Sequence, residues 1–427
     1  MFKDKALPLS VIVITTMIAV SLIGPSWVNP KDIENWDSIL YWHLNPKNVP
    51  PGWYGKLTNL PKTEWLTATK ENGSYVFKYD FHYKVAPKGI IIVLERFESY
   101  RVTIKDPEGN EYTMWNTHIP RELNLRNSIV LREIAREKCG IETTSDQLLF
   151  WNGLNVIFSK PKKDCILNPE TVKGTYLIVL TPLGQYNSTP RVYIQGESYG
   201  VMGTDNFGRD IWAGYLWGMR ETIAVAVIGA LFAMGLAMIF GMLSVLSSGL
   251  GKALNFVSHL LTVMPLLPVA IGLIIIISDI NDYTYTISTN PILLAVVLGI
   301  LSVGDLSRNI RSIVDEELRK EYIESSKALG GSSRWILTRH VSKVLIPYTL
   351  YQFALTVPGI IALITLLGFF NVVPGFNWGT LMSQSIRENT VYRLSWWHVL
   401  PVGISIGLMT LSFVAIARDI ERRFLER

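Results

Sequence analysis

Six strongly apolar runs, unevenly placed along 427 residues, limit this chain more than any other feature. The first, Leu7–Ile23, is continuously apolar or small and lies close to the N-terminus. The other five crowd the second half, at about Thr222–Leu246, Leu254–Ser278, Pro291–Leu306, Tyr348–Phe370 and Val399–Ala417. A bilayer core takes about 20 such residues as a helix. The pattern predicts an all-α polytopic membrane protein with six transmembrane helices. The first run has no small-residue cleavage signal behind it, and Trp27 stands where an interfacial anchor would, so it reads as an uncleaved span rather than a signal peptide.

Between the first and second runs lie about 170 residues without a spanning stretch, enough for a domain with its own core. Tyr75, Phe77, Tyr79, Phe81 and Tyr83 alternate with Val76, Lys78, Asp80 and His82, the period of a strand. Arg101–Lys105 and Glu111–Trp115 flank an Asp-Pro-Glu-Gly-Asn turn and read as a hairpin. Gly174–Thr181 and Arg191–Gln195 read as further strands, and Asn127–Lys138 as a helix with Ile129, Val130, Ile134 and Ala135 on one face. The expectation is a large extracytoplasmic β-rich domain, a β-sandwich with one helical insertion, between spans 1 and 2. The aromatic alternation is either a packed face or a sugar- or peptide-binding surface. Cys139 and Cys165, the only cysteines, both fall here: a disulfide of an oxidising compartment, or two unrelated buried thiols. Two sequons, at Asn72 and Asn187, agree with an external location. The domain boundaries are therefore set at 1–28 for the first helix, 29–199 for the β-rich domain, 200–221 for an interfacial segment and 222–427 for the membrane core.

Charge distribution orients the spans. The 308–343 segment holds eight Lys/Arg, and the C-terminal tail carries Arg418, Arg422, Arg423 and Arg427. The segment Asp279–Asn290 has none, and Asn371–His398 has only Arg387 and Arg393. Short basic loops stay on the cytoplasmic side. This places both termini and a loop over 307–346 in the cytoplasm. No nucleic-acid-binding pattern accompanies these charges.

Chemistry is scarce. The six histidines show no metal-ligand spacing, and His259 inside a span reads as structural. Gly203-Thr204-Asp205-Asn206-Phe207-Gly208-Arg209-Asp210 has the glycine spacing of a phosphate loop but lacks its Lys-Ser/Thr ending, so it binds no nucleotide by that route. Asp210–Arg220 after it reads as an interfacial helix. Gly229, Gly235 and Gly241 are spaced for close helix approach, and Pro265 and Pro268 break or kink the third span. Spans with almost no ionisable groups do not suit ion-driven transport. The energy for moving a solute must then enter elsewhere. The stretch Glu321–Pro347 offers the entrance: a short helix Glu321–Leu329, a stop at Gly330-Gly331, and a second helix capped by Ser332 or Ser333.

Three motifs give these features a family. Glu324-Ser325-Ser326-Lys327-Ala328-Leu329-Gly330 is similar to the E-A-A-x-x-x-G loop of binding-protein-dependent ABC importer permeases. Gly203 to Asp210 resembles the G-T-D-x-x-G-R-D that precedes the second span in peptide-type members. Asn377-Trp378-Gly379 with Trp397-His398-Val399-Leu400-Pro401 is similar to elements between their last two spans. The chain thus resembles the C-type permease of dipeptide and oligopeptide systems over about 1–28 and 200–427. Ser325 and Ser326 replace two alanines, and His340, Ser342 and Lys343 depart from the loop's usual ending.

The resemblance implies a transport subunit without its own nucleotide site, catalytic residues or metal. It would form half of a pathway with a second homologous permease, above two ABC ATPases that hold ATP and magnesium. An extracytoplasmic solute-binding protein would deliver the solute. It further implies ATPase coupling through Glu321, Glu324, Ser325, Ser326, Ala328, Leu329, Gly330 and Arg334. Oligosaccharide or other solute import by the same machine is the near alternative. A membrane-anchored receptor acting through its β domain is the distant one. The resemblance says nothing about residues 29–199.

Overall fold

The structure is a computed structural model. It describes residues 6–163, 165–186, 188–246, 248–281, 286–373, 375–390 and 392–425. The chain forms two compact units. One comprises Met1–Pro30, Ala213–Asn389 and His398–Arg427; the other comprises Lys31–Trp212 and Thr390–Trp397.

The second unit is built on two antiparallel sheets. Its strands are β1 (Glu64–Leu66), β2 (Ala68–Glu71), β3 (Ser74–Phe81), β4 (Gly89–Val93), β5 (Glu98–Lys105), β6 (Glu111–Ile119), β7 (Glu122–Asn124), β8 (Gly174–Pro182) and β9 (Arg191–Gln195). They order as β2-β3-β8-β5-β6 in one sheet and β1-β9-β4-β7 in the other. The period-two aromatics of β3 point inward. Phe77, Tyr79 and Phe81 are buried, while Lys78 and Asp80 between them are exposed. They share one core with Ile90 and Ile92 of β4, Tyr100 and Ile104 of β5 and Ile194 of β9. Each such side chain contributes about 1.5–3 kcal/mol by leaving water. The alternation is therefore a packed face and not a ligand surface.

Helix Val130–Cys139 joins this core through Leu131, Ile134, Ala135 and Cys139. Ile129, expected on the same face, precedes the helix and is exposed. Cys139 and Cys165 are disulfide-bonded, with Cα atoms 5.4 Å apart. Asn72 occupies the β2–β3 turn at φ +48°, and Asn187 lies outside the described residues.

Among the described residues of the membrane unit, four helices are long and apolar enough to cross a bilayer: Leu7–Trp27, Ile211–Val245, Leu337–Phe369 and Leu400–Arg423. Two further candidates are bent pairs. Gly249–Val263 and Leu266–Ile277 meet at 102°, and Pro291–Leu301 and Val303–Leu318 meet at 50°. The described residues thus hold four to six candidate spans. Pro265 sits at the N-cap of Leu266–Ile277, where its missing N–H breaks the ladder. A break or kink was the expectation, and the turn is nearly perpendicular. The run expected to stop near Leu306 continues as helix to Leu318.

The interfacial helix expected over Asp210–Arg220 is also not a separate element. One helix of 36 residues runs from Ile211 to Leu246. Its small residues serve the expected close packing at two of three positions. A Cβ on Gly229 would lie 3.0 Å from the Ala295 carbonyl oxygen, and one on Gly241 would strike Ile310, but Gly235 faces open space. His259, read as a structural histidine, is exposed in this chain.

Candidate coupling hairpin and permease motifs

Helix Val303–Leu318 leads into the hairpin. Glu317, near its end, is buried, pairs with Lys320 at 2.6 Å, and accepts a hydrogen bond from the Tyr322 hydroxyl. This fixes the sharp turn into helix Glu321–Ala328. That helix buries only Ile323. Glu321, Glu324, Ser325, Lys327, Ala328 and Leu329 are exposed, and Ser326 is half-buried.

Gly330 ends the helix at φ +86°, a left-handed backbone that disfavours a side chain. The Gly331 N–H then bonds the Ser326 carbonyl at 2.9 Å. Of the two serines offered as a cap, Ser332 does it, accepting the Trp335 N–H at 3.3 Å. The second helix opens at Ser333, passes through a wider π turn at Leu337–Val341 and becomes Ser342–Phe369 without interruption. The Arg334 side chain lies outside the described ones.

The hairpin's free end is apolar as well as charged. Leu329, Gly330 and Trp335 line an open concavity with Ser326, Gly331 and Ser332. His340, one of the departures from the family ending, packs 5.0 Å from the Trp335 ring and 5.3 Å from Tyr322. These aromatics carried no sequence signal as part of the site. The base of the hairpin is held differently. Leu337, Val341 and Leu345 share a core with Val303, Ile310 and Val314 and with Ala233, Met234 and Ala237 of the 36-residue helix. The base of the hairpin thus belongs to the same close-packed core as these helices.

The Gly203–Asp210 turn is a fastener. The Asp205 carboxylate accepts the backbone N–H groups of Phe207 and Arg209 at 2.9 Å each, and pairs with the buried Arg209 guanidinium. That guanidinium lies 4.9 Å from the Trp36 and Phe207 rings. Thr204 Oγ1 donates to the Pro46 carbonyl at 2.6 Å and accepts from the Val49 N–H at 3.2 Å. Gly208 sits at φ +87°, with its carbonyl bonded by Asn45 Nδ2 at 2.9 Å. Gly203, at φ +75°, backs against the Val49 carbonyl with no room for a Cβ. Asp210 then accepts the Trp212 N–H at 3.0 Å at the start of the long helix, and burial pushes its carboxyl up to about 7. The motif stitches segment 45–51 to the helix start.

Asn377-Trp378-Gly379 opens a helix that the sequence reading took for loop, Trp378–Arg387, with a capping box between Asn377 and Thr380. Trp378 is fully buried, stacks on Tyr215 at 6.0 Å, and its backbone N–H donates to Thr222 Oγ1 at 3.1 Å. This helix packs on Ser342–Phe369, which in turn packs on Leu400–Ile420.

Residues 229–426 match the family described as binding-protein-dependent transport system inner membrane component. This half of the chain is an ABC importer permease domain. The permease is 26% identical over 220 residues to a putative peptide transport system permease protein of Brucella suis, covering 50% of this chain and 68% of that one. It is 24% identical over 198 residues to the oligopeptide transport system permease protein OppC of Haemophilus influenzae, covering 46% and 61% respectively. A solved inward-facing form of the MetNI methionine ABC transporter superposes with a TM-score of 0.40 at 14% identity, covering 48% of this chain and 96% of that chain. The permease is a multi-pass membrane protein with a β-rich region in its N-terminal half.

Proposed function

We propose that this permease is a peptide-importing subunit driven by separate ATPases, and that helix Glu321–Ala328 with Gly330 is where an ATPase grips it. The observation that carries this is the hairpin's division of labour. Its tip is exposed and carries Glu321, Glu324, Leu329 and Trp335, while its base lies in the core shared by helices 211–246 and 303–318. ATP and magnesium belong to the partner ATPases, and a second homologous permease completes the pathway. The names of the relatives support peptides as the solute class.

The test is Gly330→Val. A β-branched residue is strained at φ +86° whatever the space around it. The expected result is at least a tenfold fall in peptide uptake and loss of ATPase co-purification, with membrane insertion unchanged. Unchanged uptake would remove the hairpin from the mechanism.

The proposal extends to orientation. The termini and hairpin are cytoplasmic, and 29–199, a β-sandwich, is extracytoplasmic, as the Lys/Arg distribution supports. The β-rich unit then docks the solute-binding protein. Deleting 49–195 and finding undiminished capture of that protein would refute the docking role.

A further inference from the structure

Among the large apolar side chains that the β-rich unit exposes, two groups come from segments distant in sequence. Helix Gly52–Thr58 presents Leu57, 79% exposed, and Trp53, 50% exposed. The turn within Thr390–Trp397 presents Tyr392, 80% exposed, and Leu394, 83% exposed. Trp396 brings the two together, its ring 5.8 Å from Trp53 and 5.6 Å from Tyr54.

Leu394 has a second peculiarity. It sits at φ +57°, where Asn or Gly is at ease and leucine is strained. The Trp396 N–H closes onto its carbonyl at 2.8 Å, and the Ser395 N–H bonds Thr390 at 3.1 Å, so the turn is held in this form. A bulky apolar side chain is thus kept both strained and in water. Held in this form, the leucine is presented to whatever lies outside the chain.

Chain length says what. Leu394 is six residues before Leu400, where the span Leu400–Arg423 begins. Six extended residues reach at most about 20 Å. A 24-residue helix is about 36 Å long, so it traverses a hydrocarbon core of about 30 Å and ends in the headgroup layer. The two segments, 51–58 and 390–397, contain no Asp or Glu, and their only charged residues, Lys56 and Arg393, are both exposed and basic. Trp, Tyr and Leu flanked by Lys and Arg is the chemistry of a bilayer interface.

We propose that Trp53–Leu57 and Tyr392–Leu394 form a membrane-interface anchor of the β-rich unit, dipping into phospholipid headgroups with Lys56 and Arg393 at the phosphates. The test uses the full chain in phosphatidylethanolamine/phosphatidylglycerol liposomes. Nitroxide labels are placed at Leu57→Cys and Leu394→Cys, with Phe150→Cys, an 86% exposed site elsewhere in the unit, as control. All three side chains are exposed, so labelling leaves packing intact. The expected oxygen-to-nickel-chelate accessibility ratio is at least threefold higher at 57 and 394 than at 150. Equal ratios at the three sites would overturn the anchor by placing the patch in water. Exclusion of both reagents at 57 and 394 would overturn it in favour of a protein partner.

Discussion

Gly379 illustrates how single residues carry the permease half. A Cβ there would collide with the Thr365 carbonyl and approach the Phe369 nitrogen to 2.8 Å. Gly379→Ala should therefore destabilise the membrane unit by about 1–3 kcal/mol or more, read as a lowered thermal midpoint in detergent. Gly403→Ala, within helix Leu400–Ile420 and facing open space, should be neutral or stabilise by roughly 0.5–1 kcal/mol. Asp210 predicts a pH dependence. Its carboxyl is raised by burial, with the Trp212 N–H opposing only in part. A raised folded-state pKa contributes stability that is complete below the ordinary value near 4 and is lost as pH rises through about 7. Melting of the wild type should accordingly fall across that window. Asp210→Asn, which keeps the acceptor for Trp212, should flatten the profile. At this scale the sequence was legible where a residue type answers a local need, as Gly330 and Ser332 do. It was silent on Tyr322, Trp335 and His340, whose association depends on how two helices fold back.

Among elements, the disulfide is open to direct measurement. Closing 26 residues between Cys139 and Cys165 removes unfolded-state freedom worth about 3 kcal/mol. Reduction should lower the denaturant midpoint of the β-rich unit by a matching amount while leaving the membrane helices' circular dichroism unchanged. Strands with period-two patterns were readable, because one inward face is a local signature. Helix Ile211–Leu246 was not, because Arg220 and Glu221 interrupt its apolar run. Their partners explain why a continuous helix tolerates them: Arg220 lies 5.5 Å from the Trp217 ring, and Glu221 accepts from the Phe376 backbone. A partner 155 residues away leaves no trace in the local pattern. Helix Trp378–Arg387 was hidden in the same way, its Trp378 burial depending on Tyr215 and Thr222.

At the level of the whole molecule, the charge pattern makes a topological prediction. A reporter fused at Gly330 should be cytoplasmic and one in the 105–111 turn external; reversal of either would reject the proposed orientation. The apolar runs were legible as membrane-seeking, and Pro265 and Pro268 as a break or kink in the third, but the size of the bend, 102°, was not. The division into units was legible only in outline. Residues 390–397 read as a loop of the membrane half, yet they belong to the β-rich unit. There Ser395 donates to Asn48 Oδ1 at 2.8 Å, and the Trp397 indole N–H donates to the Thr204 carbonyl at 3.3 Å. This late clasp sets a timetable for synthesis. The rest of the unit leaves the ribosome by Trp212, but its last strap follows about 185 residues later, some 10–40 s at ordinary elongation rates. During that interval Asn48, Thr204 and Trp53 stand without their final neighbours. The unit can be finished only after most of the permease has been made, so an abandoned nascent chain is marked by an unclasped, protease-sensitive β unit.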